Sequence, residues 1–215
     1  MTAIPDPGGR ARKAPREMRR QQLIEATIDC LSRRGYADTT MADIADRAGL
    51  SRGIVNFHFE SKDNLLIATL QFMADEYATH WMGAYDRAGP AAAARLQALV
   101  AADFDRRVCT RRKLAAWFAF WGEAKSRPTY QALCGARDKV YQEALSGLVE
   151  ALKQEAGYGY DAPSLALSLC SMLEGLWFRL MMGDGLTRDG AHAAARAWLG
   201  VAFPRHFAPD GARVT

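Results

Sequence analysis

The sequence is poor in the residues that hold metals and cross-links. It has four cysteines, Cys30, Cys109, Cys134 and Cys170, none in a C-x-x-C pair. Its four histidines, His58, His80, His192 and His206, stand at no ligand spacing such as H-E-x-x-H. A disulfide framework and a metal centre are therefore not expected, and the cysteines read as small core residues in a reducing cytosol. A membrane-spanning helix needs about 18 or more apolar residues with few or no charges. The nearest stretch, from Leu165 to Met182, contains Glu174 and Arg179, so no membrane partner is expected. The opening residues are rich in Pro and Gly and lack the apolar segment of a secretory leader, which points to a cytoplasmic protein. No segment alternates apolar and polar residues as a half-buried strand does. No glycine-rich phosphate loop follows a strand either: Gly157-Tyr158-Gly159-Tyr160 lies between helical segments. With no nucleophile beside a base, the sequence implies no enzyme, no catalytic residues and no cofactor.

Helical periodicity is abundant instead. Apolar residues make up 49% of the 215, enough for a small head and a larger core. Starts and stops predict an all-α protein of about nine helices. The first runs from Pro15 to Gly35, and the second and third fall between Thr40 and Phe59. The fourth, capped by Ser61, spans Lys62 to about Tyr85, and the fifth about Pro90 to Arg107. The sixth, capped by Thr110, ends near Lys125, and the seventh runs from Pro128 to Gly157. The eighth, capped by Asp161, reaches Gly183, and the ninth runs from about Arg188 to Phe203. The division expected is a disordered basic arm over 1–14, a small helical head over 15–62, a larger helical domain over 63–207 and a tail over 208–215.

The stretch from Thr39 to Leu65 carries the functional signal. Thr40 stands at an N-cap with Asp43 three residues on, close to a capping box. Met41, Ile44, Ala45 and Ala48 recur on one helical face. Gly49 ends that helix, and Ser51 caps the next. Helix, glycine turn, helix is the grammar of a helix-turn-helix unit. A rival reading, Gly49-Leu50-Ser51-Arg52-Gly53 as the G-x-S-x-G elbow of a hydrolase, needs a strand before the serine, and helical period stands there instead. Upstream, Arg10, Arg12, Lys13, Arg16, Arg19 and Arg20 face only Glu17, a charge balance suited to phosphate. The recognition helix would present Ser51, Arg52, Gly53, Ile54 and Asn56 to base edges. Arg52 suits guanine or a phosphate, and Asn56 suits adenine.

The pattern from Thr40 through Ile44-Ala45, Ala48-Gly49-Leu50-Ser51, Gly53, Phe57-His58-Phe59 and Lys62 to Leu65 resembles the signature of the tetracycline-repressor (TetR) family. The resemblance implies a sequence-specific DNA-binding transcriptional regulator, a repressor released by a small-molecule inducer. It assigns Lys62 to phosphate, with Thr40 and Ser51 able to touch phosphate as well. Where the family tends to have tyrosines, this chain has Asn56 and Phe57. Asn56 can still donate, whereas Phe57 presses on sugar or a thymine methyl, or packs. His58 matches a family position.

Such heads bind pseudo-palindromic operators as dimers. The eighth helix is apolar nearly all round, with Leu165, Leu169, Leu173, Leu176 and Leu180 beside a stripe of Ser164, Ser168, Ser171 and Gly175. The ninth adds Ala194, Ala197, Trp198 and Val201, and the resemblance implies a homodimer through these two helices. The sixth helix sets Trp117 and Trp121 one turn apart, and the eighth sets Glu174 near Trp177. Tryptophans with a carboxylate can form a quaternary-ammonium cage, or can be plain core, with Glu174 partnered by Arg179, a water or a ligand cation. KLAAWFAFW from Lys113 to Trp121 and EGLWFR from Glu174 to Arg179 are similar to the BetI branch of choline-responsive repressors, which implies ligand binding by Trp117, Trp121, Glu174 and Trp177. An unrelated apolar ligand is the alternative. Ligand binding is expected to shift the fourth helix and so the spacing of the two heads.

Overall fold

The computed structural model describes residues 8–214, with side chains from Arg16 onward except those of residues 136 and 137. Among these residues the chain forms nine α-helices and no strand beyond one isolated bridge between Phe207 and Arg213. They are α1 (Gly8–Arg34), α2 (Met41–Ala48), α3 (Arg52–His58), α4 (Lys62–Arg87), α5 (Ala92–Asp103), α6 (Arg111–Ala124), α7 (Pro128–Ala156), α8 (Ala162–Met182) and α9 (Arg188–Ala202). Two boundaries differ from the sequence reading. α1 begins at Gly8 rather than Pro15, because Arg10 to Ala14 are arginine, lysine and alanine, all strong helix formers. The disordered arm expected over 1–14 therefore fails from Gly8 onward; residues 1–7 lie outside the described residues. α5 stops at Asp103 rather than Arg107, because the Asp105 side chain accepts from the Arg107 N–H at 2.8 Å and turns the chain.

The head is built on its caps. Thr40 and Asp43 make a reciprocal capping box at the start of α2. At its end the Gly49 N–H bonds the Asp46 carbonyl at 3.1 Å and the Leu50 N–H bonds the Ala45 carbonyl at 2.9 Å, the paired bonds of a Schellman motif. Gly49 has φ 65°, which a side chain would strain. Ser51 accepts from the Ile54 N–H to start α3. Leu23, Ile28, Leu31, Ile44, Val55 and Leu65 close the core beneath these turns.

α4 leaves the head and enters the larger bundle, burying Leu70, Met73, Tyr77 and Trp81. α6 packs on α1, while α7 packs on α8 and on α4 and α5. All four cysteines are buried, and none forms a disulfide among the described residues. α8 is long and apolar enough to cross a membrane by composition, but Leu169, Leu173, Trp177 and Leu180 are buried in the bundle.

Burial also holds three imidazoles below their ordinary pKa of 6.5: His58, His80 and His192. The His80 side chain is only 9% exposed, and its Nε2 finds no hydrogen bond. For His80 desolvation outweighs the pull of Asp105. The native state therefore binds fewer protons than the unfolded chain, and stability falls as pH drops through 6.5 towards the native values. Denaturant melts between pH 7.5 and 5 should show a falling midpoint, with a shallower slope for His80→Gln. A midpoint flat over that range would contradict this.

Candidate DNA-binding face and effector cavity

On the head, Arg16, Arg19, Ser51, Arg52, Gly53, Asn56 and Phe57 are exposed, and Arg20 and His58 are half-buried. Arg20 stacks over Phe59 at 4.5 Å, and Arg16 lies over the Phe57 ring at 5.7 Å. Arg19 donates to Gln22 at 2.8 Å. Among the described ion pairs no carboxylate neutralises Arg16, Arg19, Arg20 or Arg52, so this face keeps its positive charge. Burial and then Arg16, Arg20 and Arg19 keep the His58 pKa low, so this ring is neutral near pH 7. Thr40 is occupied in capping: its hydroxyl donates to Asp43 at 2.6 Å. Lys62, at the start of α4, donates to the Tyr36 carbonyl at 3.4 Å and sits over that ring at 5.5 Å.

The second site is a cavity of about 40 Å³ between α4, α5, α6, α7 and α8, lined by Tyr77, Asp103, Trp121, Asp138, Tyr141, Gln142, Cys170, Leu173, Glu174 and Trp177. That volume is room for about three waters. Asp103 is its hub. Its carboxylate is 2% exposed and accepts from the hydroxyls of Tyr77 and Tyr141, the latter at 2.8 Å. Its carbonyl accepts from Trp177 Nε1 at 3.0 Å. These bonds fix three aromatic rings: Tyr77 meets Trp177 edge-on at 5.5 Å and lies 5.9 Å from Tyr141. Burial and the neighbouring Asp103 push the Tyr141 pKa well up, so it stays a donor. Burial, then Glu174, Asp103 and Asp138, push Cys170 up to about 12, which leaves an inert thiol.

Of the four ligand residues read from the sequence, Trp121, Glu174 and Trp177 converge on this cavity. Trp117 does not line it. Its ring is 2% exposed in the core, 6.2 Å from that of Trp121, because residues one turn apart on α6 sit at different depths. Glu174 is exposed rather than buried, and Arg179 is not its partner, since Arg179 grips Asp184 at 2.9 and 2.8 Å. Sequence reasoning missed Tyr77, Asp103, Asp138 and Tyr141. One signal was available: Leu96, Leu99, Val100 and Asp103 share one face of α5, and an acid on that buried stripe asks for a partner.

A capped two-helix reader beside a basic α1, joined to a bundle with an aromatic-lined cavity, defines a DNA-binding transcriptional regulator. Comparison with known proteins agrees. The description "Bacterial regulatory proteins, tetR family" matches residues 23–69, and "BetI-type transcriptional repressor, C-terminal" matches residues 92–204. The chain belongs to the TetR family, with a BetI-type C-terminal domain. It is 31% identical over 197 residues to the HTH-type transcriptional regulator BetI of Escherichia coli, covering 87% of this chain and 95% of that one. A transcriptional regulator from Pseudomonas aeruginosa is 31% identical with a TM-score of 0.74, over 86% of this chain and 91% of its own. A regulator from Saccharomonospora viridis, solved in complex with choline, shares the fold at 22% identity and a TM-score of 0.75, over 85% and 96% of the two chains.

Proposed function

We propose that this chain is a dimeric repressor whose grip on a pseudo-palindromic operator is released when a quaternary ammonium cation, choline or a near relative, enters the cavity. The observation that carries this reading is the cavity wall: Tyr77, Trp121, Tyr141 and Trp177 surround it, with carboxylates of Asp103, Asp138 and Glu174. Aromatic faces attract a cation that cannot be hydrogen-bonded, by up to about 2 kcal/mol each when desolvated. The inner space of about 40 Å³ holds only a few waters, so a bound cation would press on the aromatic walls, and that pressure is how binding would reach the helices.

The domain division we adopt keeps the head to residue 62 and the sensor to 63–207. The dimer face is formed by α8 and α9, which leave Leu167, Phe178, Met182 and Val201 exposed at 59%, 48%, 60% and 81%. The leucines of α8 named from the sequence serve chiefly the protomer's own bundle; the small residues Ser164, Ser168, Ser171 and Gly175 share the exposed face. The shift expected in α4 has a companion in α6. That helix carries Trp121 at the cavity and Arg112 at the head, where Arg112 holds Asp29 and Glu25 of α1, each at 2.6 Å. Asp29 is also held by Arg47 of α2.

The test is fluorescence anisotropy of DNA from upstream of the protein's own gene, with and without choline. Choline should weaken binding. Trp121→Ala, at a half-buried ring, should raise the choline concentration required by about 30-fold, the equivalent of one desolvated cation–π contact. DNA binding indifferent to choline would sink the ligand assignment and leave the head intact.

A further inference from the structure

The outward residues of α3 are of two kinds. Arg52 and Asn56 are polar and exposed, but Ile54 and Phe57 are apolar and still 38% and 71% exposed. They stand three apart on one helical face, with Cβ atoms about 5–6 Å from each other. Val55 between them is 0% exposed and pins the helix to the head core, so the pair cannot turn inward. The Phe57 ring is held in place: it meets His58 edge-on at 5.3 Å and 88°, with the Arg16 guanidinium 5.7 Å from its centre. Two large apolar side chains on a face that also carries Arg16, Arg19, Arg20, Arg52 and Asn56 lie where duplex DNA must close over them. In the major groove the one apolar group that a base edge presents is the thymine C5-methyl. Phe57 has no hydroxyl to offer a phosphate.

We infer that Ile54 and Phe57 are specificity-determining residues, each covering a thymine methyl, so that every operator half-site carries two T·A pairs one or two steps apart. The spacing follows from about 5–6 Å between the side chains against about 3.4 Å per base step. This rests on the DNA-binding reading of the head. The interaction is apolar and leaves every base hydrogen bond in place, so removing the methyl alone should remove it.

The experiment uses the full chain and a duplex selected by it from a random-sequence pool. Each thymine of the half-site is replaced in turn by deoxyuridine, which deletes only the methyl group. Affinity should fall about fourfold at each of two positions, the effect of one buried methyl. Phe57→Ala should bind thymine and uracil duplexes equally at one position, and Ile54→Ala at the other. Indifference to every uracil replacement in the parent protein overturns the inference, and that measurement needs no variant. So does a uracil penalty that survives unchanged in both variants. A pool that yields no enriched sequence overturns the DNA-binding reading beneath it, which is a separate failure.

Discussion

Val201→Glu should abolish operator binding at concentrations where the parent protein saturates its DNA. Val201 is 81% exposed in the protomer, so a glutamate there disturbs no packing inside one chain and its helix continues. In a dimer built on α8 and α9 the same carboxylate would be buried against its own two-fold copy, since a two-fold interface places each patch against itself. An unpaired buried charge is costly, and two facing like charges are more so. One head alone holds a single half-site. Linking two heads converts the second contact into an intramolecular one, worth about 10²- to 10⁴-fold in overall affinity. The expected loss is of that order. Leu167→Glu, on the exposed face of α8, should act alike. Light scattering should show a monomer with an unchanged far-ultraviolet circular dichroism spectrum. A variant that remains dimeric and binds its operator normally would place the interface elsewhere.

The parts of the molecule legible in the sequence are those set by local rules. The caps Thr40, Ser51, Ser61, Thr110 and Asp161 each accept a backbone N–H at the start of their helices, because a short polar side chain before an apolar run has little else to do. α8 showed its unusual apolarity in the sequence, but its two faces could not be sorted. Leu169, Leu173 and Leu180 are buried within one chain while Leu167 and Met182 are left outside, and only the placement of α6, α7 and α9 decides which is which. The cavity was half legible for the same reason. Trp121, Glu174 and Trp177 belong to two helices whose blocks are distinctive. Tyr77, Asp103 and Tyr141 come from three others, and nothing short-range says that two tyrosine hydroxyls will meet one carboxylate. Trp117 lies in the core rather than on this cavity because residues one turn apart on α6 are not equivalent. On a helix wedged between two neighbours, a few tens of degrees separate the core from the cavity wall.

Arg112→Met should separate ligand binding from DNA release. The parent protein is expected to lose operator affinity by about 5- to 150-fold on binding its cation, a coupling of roughly 1–3 kcal/mol. In the variant that factor should fall towards one, while choline and operator each still bind. The reason lies in how α6 is attached. Burial alone would raise the Asp29 pKa, but hydrogen bonds from Arg112 and Arg47 outweigh it and hold the carboxylate ionised. Asp29 is thus a shared anchor of α1, α2 and α6, and Arg112 is the arm by which α6 reaches it. From Arg112 to Trp121 along α6 is about 14 Å at 1.5 Å per residue, so a wall displaced at the cavity moves a rigid rod whose far end is ionically fastened to the reading head. Arg112→Lys keeps the charge but loses the fork that spans Asp29 and Glu25, and should couple to an intermediate degree. That gradation separates a geometric role from mere stability, because Arg47 still holds Asp29 in both variants and only the reach of α6 changes. A second contact, Tyr36 to Tyr130 through their hydroxyls at 2.8 Å, joins α7 to the turn after α1. If Arg112→Met responded to choline as strongly as the parent, that contact and α4 would have to carry the signal, and Tyr130→Phe would be the variant that tests them.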